Sequence, residues 1–185
     1  IALMQIMFQI DKTTNKQTNP IPIKRFYILY PPELSEKTIA YLKRYSMSNL
    51  NIIKLLHGSE ALDIPYIVDD FYQTELCNSK KSYKVINFFM SFIDTRYLCE
   101  YLNMYYNKPN ICRIYELLEA YKVIDLNIKL KLEQNEQQMG PIHELFININ
   151  QLSNNKPLIT YAIHDVVYLV DLYKVLKIDI IKQRP

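Results

Sequence analysis

The stretch Asn51-Ile-Ile-Lys-Leu-Leu-His57 constrains the fold more than any other. It is short, nearly continuous in apolar residues and stopped by Gly58, the pattern of a central strand buried on both faces. Gly58 is one of only two glycines in 185 residues, the other being Gly140. A Walker phosphate loop and a dinucleotide fingerprint each need several glycines close together, so both are excluded. A chain of this length fits one domain with a full core, and residues 1–185 read as a single domain.

Around that strand the apolar period changes along the chain. Residues 1–10 and 24–30 read as strands, separated by a polar, proline-containing loop at 11–22. Ser35 is expected to cap a helix running to about Met47, and Ser59 another from Glu60 to about Phe71. Residues 73–84 read as a loop, and Asp94 as the start of a helix to Tyr105. A further helix is expected at 110–121, and a charged, Gln-rich helical extension or crossing at 125–139. Residues 141–152 lead into a closing helix from near Pro157, where Ile163, Val166, Val167, Leu169, Val170, Leu172 and Val175 recur at helical spacing. Strands first and helices after point to an α/β or α+β domain.

The net charge of +3 permits a nucleic-acid partner without demanding one, and sixteen tyrosines offer stacking surfaces for bases. Cys77, Cys99 and Cys112 have no metal-ligand spacing, and an odd number without evident pairs predicts a reducing, intracellular compartment. No apolar run reaches the length of a membrane span, so no membrane association is expected. The Ile, Asn, Lys and Tyr richness fits an AT-rich viral or microbial source. The chain starts at Ile1 inside an apolar run, which leads us to expect further sequence upstream.

Two positions invite chemistry. Tyr161 and Asp165 are four residues apart and share one helix face. They are either a candidate site or part of an ordinary core helix. Asp63 lies just past the end of the Asn51–His57 strand, at the edge where open α/β folds place sites.

Taken in order, four segments resemble the RNase D-like branch of the DEDD 3′-5′ exonucleases. Lys54-Leu-Leu-His57-Gly-Ser-Glu-Ala-Leu-Asp63 resembles the second exonuclease motif, a strand ending in Lys-x-x-His before a helix that carries Asp. Tyr161-Ala-Ile-His-Asp165-Val-Val-Tyr-Leu resembles the third motif, Tyr-x-x-x-Asp. Ile93-Asp94-Thr95 looks like the short Ile/Phe-Asp-Thr element between them, and residues 1–6 are similar to the family's second strand. The resemblance implies a ribonuclease H-like fold, a mixed five-stranded sheet flanked by helices, whose N-terminal strand would lie upstream of Ile1. It also implies a 3′-5′ exonuclease acting on the 3′ end of RNA or DNA, with two divalent ions, Mg²⁺ or Mn²⁺, held by four carboxylates. By position Asp63 and Asp165 match metal ligands and Tyr161 the subgroup's tyrosine, making these three the candidate catalytic residues.

Two departures stand out. The family's first motif, Asp-x-Glu, occurs nowhere in the 185 residues. The separation of Asp63 from Asp165, 165 − 63 = 102 residues, is longer than in short members. The missing motif motivates an alternative, an exonuclease-like domain without catalysis that binds nucleic acid or protein. The chemistry itself suits the residue types: two hard cations flank the attacking and leaving oxygens of a phosphodiester, and such cations prefer carboxylates. Tyr161 would orient the water and not act as a full base, because a phenol ordinarily titrates near 10. Lys54 and Arg96 are either phosphate contacts or ordinary surface charges. His57 reads as a supporting residue, and Asp94 as an N-cap close to the site.

Overall fold

A computed structural model describes residues 4–10, 23–30, 33–139 and 154–183. The expected start of the first strand at residues 1–3, the loop at 11–22 and the lead-in at 141–152 lie outside these residues. The fold is mixed α/β. Strand β1 (Met4–Ile10) pairs antiparallel with β2 (Ile23–Leu29), Met4 opposite Leu29 and Ile10 opposite Ile23. The rings of Phe8 and Tyr27 meet edge-on across the pair at 5.8 Å. Strand β3 (Lys54–Leu56) pairs parallel with β4 (Phe92–Asp94), Lys54 opposite Phe92 and Leu56 opposite Asp94.

The described residues thus form two sheets of two strands each, and the single five-stranded sheet implied by the resemblance is not among them. The run Asn51–His57 contributes only three strand residues. The buried ammonium of Lys54 accounts for this, donating back to the carbonyls of Asn49 (2.8 Å) and Ile52 (3.0 Å) and to the Ser91 hydroxyl. Those bonds hold residues 49–52 in a turn, with Ile52 N–H on the Asn49 carbonyl at 3.1 Å. Burying an ammonium without such partners would be costly.

Helix α1 (Glu36–Leu42) is capped as expected: Ser35 Oγ accepts from Thr38 N–H at 3.2 Å, and the chain continues through a wide π turn, Lys43–Met47. Ser35→Ala should destabilise the protein by about 1 kcal/mol in urea unfolding, with an unchanged slope. Ser59 does not cap the next helix. Helix α2 (Asp63–Tyr66) starts later, with Asp63 in its first turn, and continues into a second π turn, Ile67–Phe71. Part of the expected loop at 73–84 is helix α3 (Gln73–Leu76). It is anchored by buried Glu75, which Lys43 and Lys84 pair at 3.0 and 3.6 Å. Then come α4 (Tyr83–Met90), α5 (Thr95–Tyr105), α6 (Ile114–Ala120) and α7 (Leu126–Met139). The closing helix is two, α8 (Lys156–Val167) and α9 (Leu169–Lys182), broken at Tyr168. Asn155 caps α8 by accepting from Leu158 N–H at 3.2 Å, with Pro157 in the first turn, where a missing N–H costs nothing.

Two apolar clusters form the core. One gathers Ile67, Phe71, Tyr72, Val85 and Phe88, with Leu56 and Phe92 packed against it. The other joins α5, α6, α7 and α9 through Cys99, Leu102, Leu118, Leu132, Leu172 and Leu176. Since α9 also packs on β3, the short parallel pair has apolar helices on both sides, which is why its strands read as continuous apolar runs. Helix α8 lies against the β1–β2 hairpin and α7, and Lys24 Nζ ties β2 to the α8–α9 corner through the Val167 carbonyl (3.2 Å) and Asp171 (3.0 Å).

The cysteine expectation is corrected. Cys99 and Cys112 form a disulfide, Cα–Cα 6.0 Å, and only Cys77 is free and exposed. The chain turns back after α5 at Asn107, whose φ of 52° is one that asparagine tolerates, and this brings the two sulfurs together. Among the described residues no helix is long and apolar enough to cross a membrane.

Candidate active site

Because β3 and β4 are parallel, their carboxyl ends lie at one edge, and a single side chain joins them there. Gly58 turns the chain after β3 with φ +66°, a backbone that a residue with a Cβ rarely adopts. Its N–H donates to Asp94 Oδ1 at 3.0 Å. Ser59 donates both N–H (2.9 Å) and hydroxyl (2.6 Å) to Oδ2, and Arg96 N–H donates to Oδ1 at 2.8 Å as α5 begins. Burial pushes the Asp94 carboxyl up, but these four bonds together hold it below the ordinary carboxylate value. With two donors on each oxygen, Asp94 is a clamp between the two strand ends and the cap of α5.

Beside the clamp, side chains distant in sequence converge. Asp63 from α2 and Asp165 from α8 lie within electrostatic reach of each other. Burial, then the negative charges of Glu136 and Asp63, push the Asp165 carboxyl up to about 7, with the nearby Tyr161 hydroxyl acting the other way. Burial and the neighbouring Asp94 charge raise Asp63 as well. Tyr161 is itself raised well above the ordinary phenol value, by burial and then by Asp165. It is a neutral phenol near pH 7, able to donate toward Asp165 one helical turn away. The helical i, i+4 spacing read from the sequence produces this pair.

Two members of the cluster were not anticipated. Glu136, near the end of α7, is the largest charge acting on Asp165. Tyr115 of α6 is buried and pushed far up by that burial and by Asp165. The sequence carried one signal for Glu136: it stands four residues after Leu132, which is buried in the core, so both fall on one face of α7.

The other candidate residues separate. Lys54 is at the far end of β3 from Asp94, and its three ammonium protons are engaged by Asn49, Ile52 and Ser91. Burial brings its pKa down to about 8. It is a structural cation and does not reach the site. His57 follows β3, with Nε2 on the Cys112 carbonyl and Nδ1 on the Thr95 hydroxyl, each at 3.0 Å. Burial lowers its pKa, and the carbonyl partner requires the proton on Nε2. Arg96 stands at the rim, 42% exposed, bonded to Glu60 and, at 3.0 Å, to Glu100. His164 stacks on Tyr168 with ring centroids 6.3 Å apart and is not part of the cluster.

As a cation site the cluster is partial. Among the described residues no three His, Cys, Asp or Glu side chains are grouped closely enough to hold a metal ion. The donor chemistry still suits a hard divalent ion, since Asp63 and Asp165 supply oxygens whose mutual repulsion a cation would relieve.

The chain is 34% identical over 154 residues to an uncharacterized protein of Acanthamoeba polyphaga mimivirus, an alignment covering 79% of this chain and 29% of that protein. The chain therefore spans less than a third of the length of the curated relative it matches. No family profile and no solved structure matches it.

Proposed function

We propose that this chain is a ribonuclease H-like 3′-5′ exonuclease domain that hydrolyses the terminal phosphodiester of a nucleic acid with divalent metal. One observation carries the reading. Asp63 and Asp165, 102 residues apart in sequence, lie near enough for the charge of Asp63 to act on Asp165, and Tyr161 stands one helical turn from Asp165. This proximity supports the resemblance at its second and third motifs.

In this reading Asp63 and Asp165 would help hold Mg²⁺ or Mn²⁺, and the remaining family carboxylates would come from an Asp-x-Glu pair that these 185 residues lack. Bound divalent metal supplies an activated water and charge neutralisation at the leaving oxygen. Tyr161 would orient a water beside Asp165. Arg96, exposed at the rim, takes the phosphate next to the scissile one by exchanging Glu60 or Glu100 for it. Asp94 keeps the residue 57–63 turn in register and touches neither metal nor substrate.

The test is incubation of the protein, including whatever is encoded upstream of Ile1, with 3′-labelled single-stranded RNA and DNA in Mg²⁺ or Mn²⁺. Labelled mononucleotide should appear first, and chelation should abolish it. A second reading, a binding module without catalysis, is motivated by the lack of Asp-x-Glu in these 185 residues. Retention of labelled strands without any release of mononucleotide would select it.

A further inference from the structure

We propose that the Cys99–Cys112 disulfide is a redox latch that sets the position of the residue 57–63 turn, and through it of Asp63. The connection is a short chain of bonds. Cys112 lies in the loop between α5 and α6, and the disulfide ties that loop to the buried side of α5. The Asn103 amide donates to both sulfurs at 3.4 Å, seating the bridge. The carbonyl of Cys112 accepts from His57 Nε2 at 3.0 Å, 55 residues away in sequence. On its other side the His57 ring meets Thr95, whose hydroxyl also bonds the Leu56 carbonyl at 3.0 Å. Gly58 and Ser59, next along the chain, are the donors that Asp94 clamps.

Besides the disulfide, Cys112 is held by the Asn103 amide and by partial packing on the core. The loop between Asn107 and Arg113 has no strand or helix of its own, and Asn110 and Ile111 are exposed. Opening the bridge frees Cys112, and with it the carbonyl that orients the imidazole. The same loop leads directly into the first turn of α6, which carries Tyr115 of the carboxylate cluster. One bond therefore governs two approaches to the site.

The chemistry is ordinary thiol–disulfide exchange with a dithiol reductant. Cys99 is buried and Cys112 half-buried, so the thiolate of the reductant attacks the Cys112 sulfur. The S–S bond breaks, Cys99 leaves as a thiolate and takes a proton. The second thiol of the reductant then displaces Cys112, which is protonated in turn. The protein gains two electrons and two protons, and the reductant becomes a disulfide.

The latch depends on contacts and not on the nuclease reading, so it is tested by amide hydrogen exchange on the whole protein with and without dithiothreitol. Reduction should raise exchange at Gly58 and Ser59 at least tenfold while the amides of Phe88 and Leu172 stay protected. Cys99→Ser/Cys112→Ser should resemble the reduced protein and ignore the reductant. In His57→Leu the exchange at Gly58 and Ser59 should already be raised, with no further rise on reduction. Unchanged exchange at Gly58 and Ser59 in the reduced protein overturns the latch, and so does loss of protection throughout the core, which would make the bridge a general staple. Absence of cleavage with the exchange pattern intact would count against the nuclease and leave the latch standing.

Discussion

Asp165→Asn should lower release of 3′-terminal nucleotides by on the order of a hundredfold or more, because on the proposed reading it removes one of two carboxylates that would hold metal while keeping the side chain's shape. The same substitution should improve stability at pH 8 relative to pH 4. The sign follows from the direction of the shift. The Asp165 carboxyl titrates at about 7, above its ordinary value, so the folded chain holds that proton more tightly than the unfolded chain does. Its contribution to stability is full below about pH 4, near the ordinary carboxylate value, and is lost as pH rises to about 7. An asparagine has no such loss. Thermal melts of both proteins at pH 4 and pH 8 measure the difference, and cleavage assays measure the activity. Unchanged cleavage would remove Asp165 from the chemistry, and parallel pH dependence of the two melts would remove its strain.

Asp94→Ala acts in the opposite sense and should destabilise the fold by about 3–5 kcal/mol in denaturant titration. It strands the N–H groups of Gly58, Ser59 and Arg96 together with the Ser59 hydroxyl, all facing a single buried carboxylate. The pH dependence of the parent protein carries the matching sign. Asp94 is held below the ordinary value, so its stabilisation is present above about pH 4 and is lost as acid protonates it. A loss of less than about 1 kcal/mol would show that water replaces the carboxylate at the strand ends.

Much of the frame was legible because local signals and packing agree. Residues 1–10 and 24–30 were readable as strands, Ser35 and Asp94 as caps, and the i, i+4 spacing put Tyr161 and Asp165 on one helix face. What escaped depends on contacts far apart in sequence. The ammonium of Lys54 turned the upstream half of an apolar run into a turn, and its charge gave no hint that it would be buried. Ser59 had the residue type of a helix cap, but Asp94, 35 residues later, competes for it and wins with two bonds. Cys99 and Cys112 lack any spacing rule, and only the turn after α5 brings them into register. Glu136 acts on Asp165 from an exposed position on a mostly polar helix that also carries Glu133, and only its spacing from buried Leu132 set it apart.

Leu56 and Asp94 are partners in the parallel pair, and the clamp fastens the chain leaving the first to the chain arriving at the second. Everything between, from α2 through α4, is an excursion that departs from and returns to the same knot. Its outer portion around Cys77 to Ser82 can therefore be lengthened, shortened or used to carry an inserted tag, while the acidic edge keeps its geometry.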